Sequence, residues 1–180
     1  ITGLPDTVTY GQEFPLTASQ TGDTTSANKK WTWDYDQEYF KRVGPNANTE
    51  TITLQAIKAG TPSKDITATY ESGTHKGSAT VNAVVEKKEV TVSGITAENK
   101  EYDGGTTATV NASGATITGI VSGDSLTITA TGTFADADVG NGKAVNLTLG
   151  ALSGASAGNY KLAASGNQTT ATANITAKDV

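Results

Sequence analysis

Apolar and polar residues alternate with a period of two through most of the chain, and this pattern decides its fold class. Segments such as Thr127–Thr131 and Val145–Leu149 place every second side chain on the same face of an extended strand. No segment keeps an apolar period of 3.6 residues over several helical turns. Thr is the most frequent residue, and its β-branched side chain favours strands. We therefore predict an all-β protein.

A short motif recurs at a spacing typical of domains. Lys88-Glu89-Val90 returns as Lys178-Asp179-Val180, 90 residues later, and both copies follow runs of small and aliphatic residues. A seven-stranded sandwich needs about 100 residues. We predict two tandem Ig-like (Greek-key) β-sandwich domains, residues 1–88 and residues 89–180. Because the chain opens on Ile1 and ends on the second copy, we expect it to be a segment of a longer array.

Composition excludes several functional classes. The chain has no Cys and one His, which excludes disulfides, thiolate nucleophiles and Cys- or His-rich metal centres. Its net charge of −5 argues against a nucleic-acid partner, since phosphate binding needs clustered cations. The basic pairs Lys29-Lys30 and Lys41-Arg42 lie near acids, and we interpret them as solvated surface. No apolar run approaches the roughly 20 residues of a membrane helix. We expect no cofactor, no metal, no catalytic residue and no membrane contact.

Five aromatic residues in the first half, within KKWTWDYDQEYFKRV, are the candidate ligand-binding residues: Trp31, Trp33, Tyr35, Tyr39 and Phe40. In a strand, the first three would share one face. One interpretation places these rings in the core, as large aromatic side chains dominate core burial. The alternative hypothesis exposes Trp33 or Tyr35, together with Tyr39 and Phe40, as a platform for sugar rings. Exposure of Trp33 or Tyr35 separates the two interpretations.

Three carboxylates in the same stretch, Asp34, Asp36 and Glu38, would share the opposite strand face. A glycosidase pair requires carboxylates from separate positions across a cleft. We therefore predict a solvated face for them rather than a catalytic pair.

Two other polar stretches suggest sites only weakly. Asp136 and Asp138 lie in DADVGNG, but an EF-hand loop would need an acid where Leu147 stands, so a weak ion site is left as an alternative. His75, between Gly73 and Gly77, is predicted at a hairpin tip. Nothing singles out the Lys, Asn and acid that an internal isopeptide bond requires, so ordinary core packing is favoured.

The stretch EYDGGTTATV could form either a functional site or a turn between two strands. Asp-Gly after a strand is a strong turn signal, so we predict that Tyr102 caps a strand and buries its ring. Asp103 is predicted to accept turn hydrogen bonds, and Gly104 to supply the backbone angle. Further turns are predicted at residues 122–124 and 139–142.

Four motifs occur in one order in the second half: KEYDGGTTATV, GIVSGDSLTITATGTF, ADADVGNGKAVNLTLG and SGASAGNYKLAA. Together they resemble the YDG-type repeat of bacterial surface proteins, over about residues 89–180. The last of them also resembles a tyrosine corner, in which Tyr160 would bond the chain a few residues upstream, although Ser156 replaces the usual acid. The opening LPDTVTYGQEFPLTAS resembles bacterial Ig-like repeats.

The resemblance implies an extracellular chain, on the bacterial cell surface or secreted, whose partners are neighbouring repeat domains. Three functions are consistent with the sequence. The first is a non-catalytic spacer or stalk, and the second is an adhesive module binding glycan or host protein through the aromatic cluster. The third is an accessory domain of a secreted carbohydrate-active enzyme.

Overall fold

The computed structural model describes residues 1–21, 29–44 and 49–179. They form β-strands joined by turns, with one short 3-10 helix, Ala157–Asn159, which confirms the all-β prediction. The chain divides into two compact units, Ile1–Lys88 and Glu89–Val180, named unit 1 and unit 2 below. Within the described ranges, no helix is long and apolar enough to cross a membrane.

Unit 1 is built from two small antiparallel sheets and one parallel pair. Its described strands are β1 (Val8–Thr9), β2 (Glu13–Thr17), β3 (Lys30–Asp34), β4 (Phe40–Arg42), β5 (Thr51–Ala56), β6 (Ile66–Ser72), β7 (His75–Val81) and β8 (Val85–Glu86). One sheet has the order β2-β5-β4 and the other the order β3-β6-β7. Strands β1 and β8 pair in parallel.

The core of unit 1 follows from alternation of inward and outward residues along strands β2, β3, β5 and β6. Strand β2 buries Phe14 and Leu16, and the neighbouring strand β5 buries Ile52, Leu54 and Ala56. The residues between them face outward and are mostly Thr or charged, as expected for a sheet with one wet face. Each three-stranded sheet therefore has one buried face, and the hydrophobic effect of those faces stabilises the unit.

Unit 2 has ten strands: β9 (Lys88–Ser93), β10 (Thr96–Ala97), β11 (Lys100–Glu101), β12 (Thr107–Ala108), β13 (Val110–Asn111), β14 (Thr116–Thr118), β15 (Thr127–Phe134), β16 (Gly140–Ser153), β17 (Tyr160–Leu162) and β18 (Thr170–Thr176). The count covers the part of the unit that the structure describes, residues 89–179, with Lys88 at its edge. They form a five-stranded sheet, β11-β18-β16-β15-β12, and a three-stranded sheet, β14-β9-β17. Strands β10 and β13 pair separately.

The two larger sheets of unit 2 pack against each other. Val92 of β9 and Ile128 of β15 belong to one buried cluster, which Leu149 and Leu162 adjoin. A second cluster joins Phe134, Val145 and Ile175 with two buried Ala residues. Apolar side chains from both sheets thus form one sandwich-like interior.

The predicted turn at residues 139–142 is wrong, because strand β16 already begins at Gly140. The chain reverses earlier, over residues 135–139. Glycines in this stretch serve a bulge instead: the register with β18 shifts between Gly140 and Lys143, and Gly142 has a positive φ of 61°. A bulge needs the same backbone freedom as a turn, so the two are hard to tell apart by sequence.

In each unit, a strand near the beginning pairs in parallel with a strand near the end. In unit 1, Val8 and Thr9 of β1 lie opposite β8. In unit 2, Lys100 and Glu101 of β11 lie opposite the end of β18. Side chains reinforce this closure, because the amide of Gln168 donates to the Ile95 carbonyl and accepts from the Ile95 backbone N–H.

Candidate functional site

The tryptophans of the predicted aromatic cluster lie in the core of unit 1. Strand β3 turns Trp31 and Trp33 inward, and their exposed fractions are 5% and 8%. The Trp31 ring packs on Tyr70 at 5.0 Å between centroids, and Trp33 Nε1 donates to the Thr49 carbonyl at 3.1 Å. These two rings therefore offer no surface on which a sugar could stack.

The remaining members of the cluster follow the end of β3. Phe40 is buried and meets Phe14 edge-on, with ring centroids 6.0 Å apart. Tyr39 is half-buried, and the Lys58 ammonium group lies 4.9 Å from its ring centroid. Tyr35 is half-buried and makes neither a side-chain hydrogen bond nor a ring contact with the described residues. Of the five predicted residues, Tyr35 is the one whose ring and hydroxyl are uncommitted.

The carboxylates of the same stretch do not form the predicted solvated strand face, because β3 ends at Asp34 and Asp36 is buried. Asp36 accepts hydrogen bonds from the Ser63 hydroxyl at 2.7 Å, the Ser63 N–H at 2.8 Å and the Glu38 N–H at 3.0 Å. The Ser63 hydroxyl bond is the main cause that lowers the pKa of Asp36 below its ordinary value. Asp36 therefore fixes the loop of residues 35–39 to the chain around Ser63.

The other two acids of the stretch are paired. Asp34 accepts from Lys64 at 2.6 Å, and Glu38 pairs with Lys58. Neither faces a second free carboxylate, so the arrangement has no pair with the geometry of a glycosidase.

In unit 2, the Tyr102-Asp103-Gly104 segment forms a turn with a lysine clamp. Asp103 Oδ1 accepts from the Gly105 N–H at 2.8 Å and from Lys100 Nζ at 2.6 Å, and Gly104 has a φ of 75°. The Lys100 bond is the main cause that lowers the Asp103 pKa. Lys100 Nζ also donates to the Gly105 carbonyl at 2.8 Å, so it binds the two sides of the turn together.

The prediction that Tyr102 buries its ring is wrong, because 43% of the residue is exposed. Its role in the turn comes from the backbone, where its N–H donates to the Thr176 carbonyl at 2.9 Å. The aromatic ring that is buried near this turn is that of Phe134. The Lys100 ammonium group lies 5.8 Å from its ring centroid.

Tyr160 also differs from its expected role. Its hydroxyl donates to Asp124 Oδ2 and accepts from the Val121 N–H at 3.0 Å, so it bonds residues about 36 to 39 positions upstream rather than a few. The Ser156 hydroxyl donates to the other oxygen of Asp124 at 2.6 Å. The predicted tyrosine corner is therefore replaced by a long-range lock in which Asp124 joins two loops.

Residues 86–173 match the family model of the YDG domain. The matched residues, called the YDG domain below, contain the lysine-clamped turn and the Asp124 lock, and they make up most of unit 2. Residues 1–85 lie outside the match. No curated protein and no solved structure matches the chain.

The candidate ion site of the YDG domain is occupied by protein groups. Asp136 pairs with Lys143 and accepts from the Asp138 N–H at 2.9 Å. The Lys143 bond is the main cause that lowers the Asp136 pKa. The described residues contain no group of three or more His, Cys, Asp or Glu side chains arranged to hold a metal ion. His75, the predicted hairpin-tip residue of unit 1, lies opposite Ser72 beside the β6–β7 turn.

Sequence analysis missed Lys100, Ser63 and the partner of Tyr160. The signal for Lys100 is its position three residues before Asp103, within reach of a turn carboxylate. Ser63 and Asp124 carry no such local signal, because their partners lie 27 and 36 residues away.

Proposed function

We propose that this chain is a non-catalytic spacer segment of a larger bacterial cell-surface or secreted protein. Its two units would be tandem Ig-like Greek-key sandwiches, of which the second is the YDG domain. In this role the segment holds other domains of its parent protein away from the cell, and its partners are the neighbouring repeat domains of the same chain.

The observation that carries the proposal is that polar side chains in the loops of the YDG domain bind other parts of the same domain. Two acids of its loops are bound by other side chains: Asp103 by Lys100 of the same turn, and Asp124 by Ser156 and Tyr160, more than 30 residues away. Such contacts fix the shape of a domain and leave these groups committed. The separate core of each unit supports the same role, because tandem modules that fold on their own are suited to spacing.

A surface-display experiment tests the spacer role. The chain is inserted between a cell-wall anchor and a small antigen-binding domain, and capture of antigen-coated beads is measured on intact cells. Capture is expected to exceed that of the direct fusion and to drop when Leu54→Ala and Val145→Ala unfold the two units. Capture equal to that of the direct fusion would contradict the proposal.

The extracellular location is tested separately. Antibodies raised against the chain are expected to label intact cells of the source organism, or its culture medium, without permeabilisation. Labelling that requires permeabilised cells would contradict an extracellular location.

For the adhesive alternative, the structure leaves a smaller aromatic surface than the five residues considered in the sequence. Trp31, Trp33 and Phe40 are core residues, and Tyr39 is covered by Lys58. Of the five candidates, Tyr35 is the one whose side chain makes no hydrogen bond or ring contact with the described residues.

A further inference from the structure

Tyr35 lies at a pocket beside strand β4. The pocket has a volume of about 340 Å³ and is lined by Tyr35, Gln37, Phe40, Lys41, Arg42 and Ile57. Its polar side chains make no hydrogen bond or ion pair with the described residues. Its accessible apolar surface comes from Ile57, which is 37% exposed, whereas Phe40 is buried beneath the pocket lining. The volume is at the lower end of the range of small-ligand pockets, and the pocket is shallow and open to solvent, which suits one sugar residue of a longer chain.

The cations of this pocket are not neutralised. Lys41 and Arg42 belong to β4, an edge strand of its sheet among the described strands, and they lie opposite Gln55 and Leu54. Neither neighbour carries a charge. The acids nearest in sequence, Asp34 and Glu38, pair with other lysines, and Glu13 lies one strand further across the sheet, opposite Gln55. The pocket therefore presents two free positive charges on a chain whose net charge is −5.

The loop that supplies Tyr35 and Gln37 is held in place. Asp36 stands between them and accepts three hydrogen bonds, two of them from Ser63. The Phe40 N–H donates to the Asp36 carbonyl at 2.9 Å, which links the loop to β4. A pocket whose lining is fixed before binding loses less conformational entropy when a ligand enters.

We propose that this pocket binds a uronic-acid residue of an acidic glycan. The sugar carboxylate accepts hydrogen bonds from the Arg42 guanidinium group, a pairing that suits the planar fork of Arg, and Lys41, which also lines the pocket, adds a second positive charge. The C–H face of the ring lies on Tyr35 and Ile57, and Gln37 bonds the hydroxyls. Two cations are too few to bind successive phosphates of a nucleic acid. A uronic acid has one carboxylate and one apolar ring face, and these match the cations and the apolar surface of the pocket. This binding activity is additional to the spacer role and does not depend on it.

Titration of the whole chain with trigalacturonate, followed by ¹⁵N NMR, tests the proposal. Shift changes are expected for residues 35–42 and Ile57, and neutral maltotriose at the same concentration is expected to cause none. Lys41→Ala with Arg42→Ala should weaken binding by about tenfold or more, the value of one charge-assisted hydrogen bond. Tyr35→Ala should weaken it by about two- to tenfold, the contribution of an aromatic contact.

Lys29→Ala with Lys30→Ala is the matched control, since it removes the same charge from an exposed basic pair of unit 1 that does not line the pocket. Binding should be unchanged in this variant. The proposal is overturned if trigalacturonate causes no shifts, if the two double variants lose affinity equally, or if Tyr35→Ala binds as well as the parent chain. Thermal unfolding of each variant verifies that it is folded.

Discussion

Replacing Gly132 with Ala tests how closely the YDG domain is packed. Gly132 is buried in β15, and a Cβ atom there would lie 2.5 Å from Val110 Cγ1, 2.9 Å from Val145 Cγ1 and 3.3 Å from the Ala108 Cβ. Overpacking of this kind costs about 1–3 kcal/mol. Ala recovers roughly 0.5–1 kcal/mol over Gly inside a strand. Because three atoms would lie within 3.3 Å of this Cβ, we take the upper part of the cost, about 2–3 kcal/mol, and subtract the full gain of about 1 kcal/mol, which leaves a net loss of about 1–2 kcal/mol in the free energy of unfolding.

The assay is thermal and urea unfolding of the whole chain, with unit 2 followed by amide NMR signals. For a domain of this size, the expected loss lowers Tm by about 4–16 °C. Gly158→Ala is the control, because a Cβ there meets nothing within 4 Å. Adding Val110→Ala to Gly132→Ala removes the closest clash, so the double variant should be more stable than the sum of the single effects by about 0.5–3 kcal/mol. Unchanged stability of Gly132→Ala would refute the packing.

Three further predictions concern single side chains. Tyr160→Phe should destabilise the YDG domain by about 1–3 kcal/mol in urea unfolding, because Asp124 and the Val121 N–H lose a buried partner; a loss below about 0.5 kcal/mol would contradict the lock. The folded-state pKa of Asp103 is lowered, so the stability that its carboxylate contributes is present at neutral pH and is lost as pH falls below about 4. The Tm of the domain should therefore fall between about pH 5 and pH 3, and it should fall less in the Asp103→Asn variant. Trp33→Ala should destabilise unit 1 by about 3–5 kcal/mol, and a folded variant of parent-like Tm would place the ring at the surface instead.

Strand content could be predicted from the sequence where the pattern is local. The alternation of Thr127–Thr131 continues in the structure as β15, and that of Val145–Leu149 lies inside β16. The turn at Asp103 and Gly104 was predicted for the correct reason, since a short acid and a glycine are sufficient to form it. In these cases neighbouring residues decide the structure.

The remaining features depend on contacts that sequence spacing does not show. Asp36 is indistinguishable from a solvated acid until Ser63 is placed against it, 27 residues later. Tyr102 follows a strand and carries a large ring, yet Phe134 fills the interior and Tyr102 is exposed. The basic pair Lys41-Arg42 is exposed, as the solvated-surface interpretation predicts, but the acids nearest to it in sequence pair with other lysines. Which distant segments come into contact depends on the whole fold and not on the residues next to each other in the sequence.

The parallel closing pairs, β1 with β8 and β11 with β18, determine how each unit would respond to tension. Pulling the two ends of unit 1 apart slides β1 and β8 lengthwise past each other, whereas in unit 2 the pull reaches β11 only through β9 and β10, which precede it. The slanted hydrogen bonds of these parallel pairs are then loaded together, in shear, whereas a hairpin pulled open from its ends breaks one bond at a time. In unit 2, the links from Asn167 to Val92 and from Gln168 to Ile95 share that load. A force applied along the chain would therefore load these hydrogen bonds before the cores open.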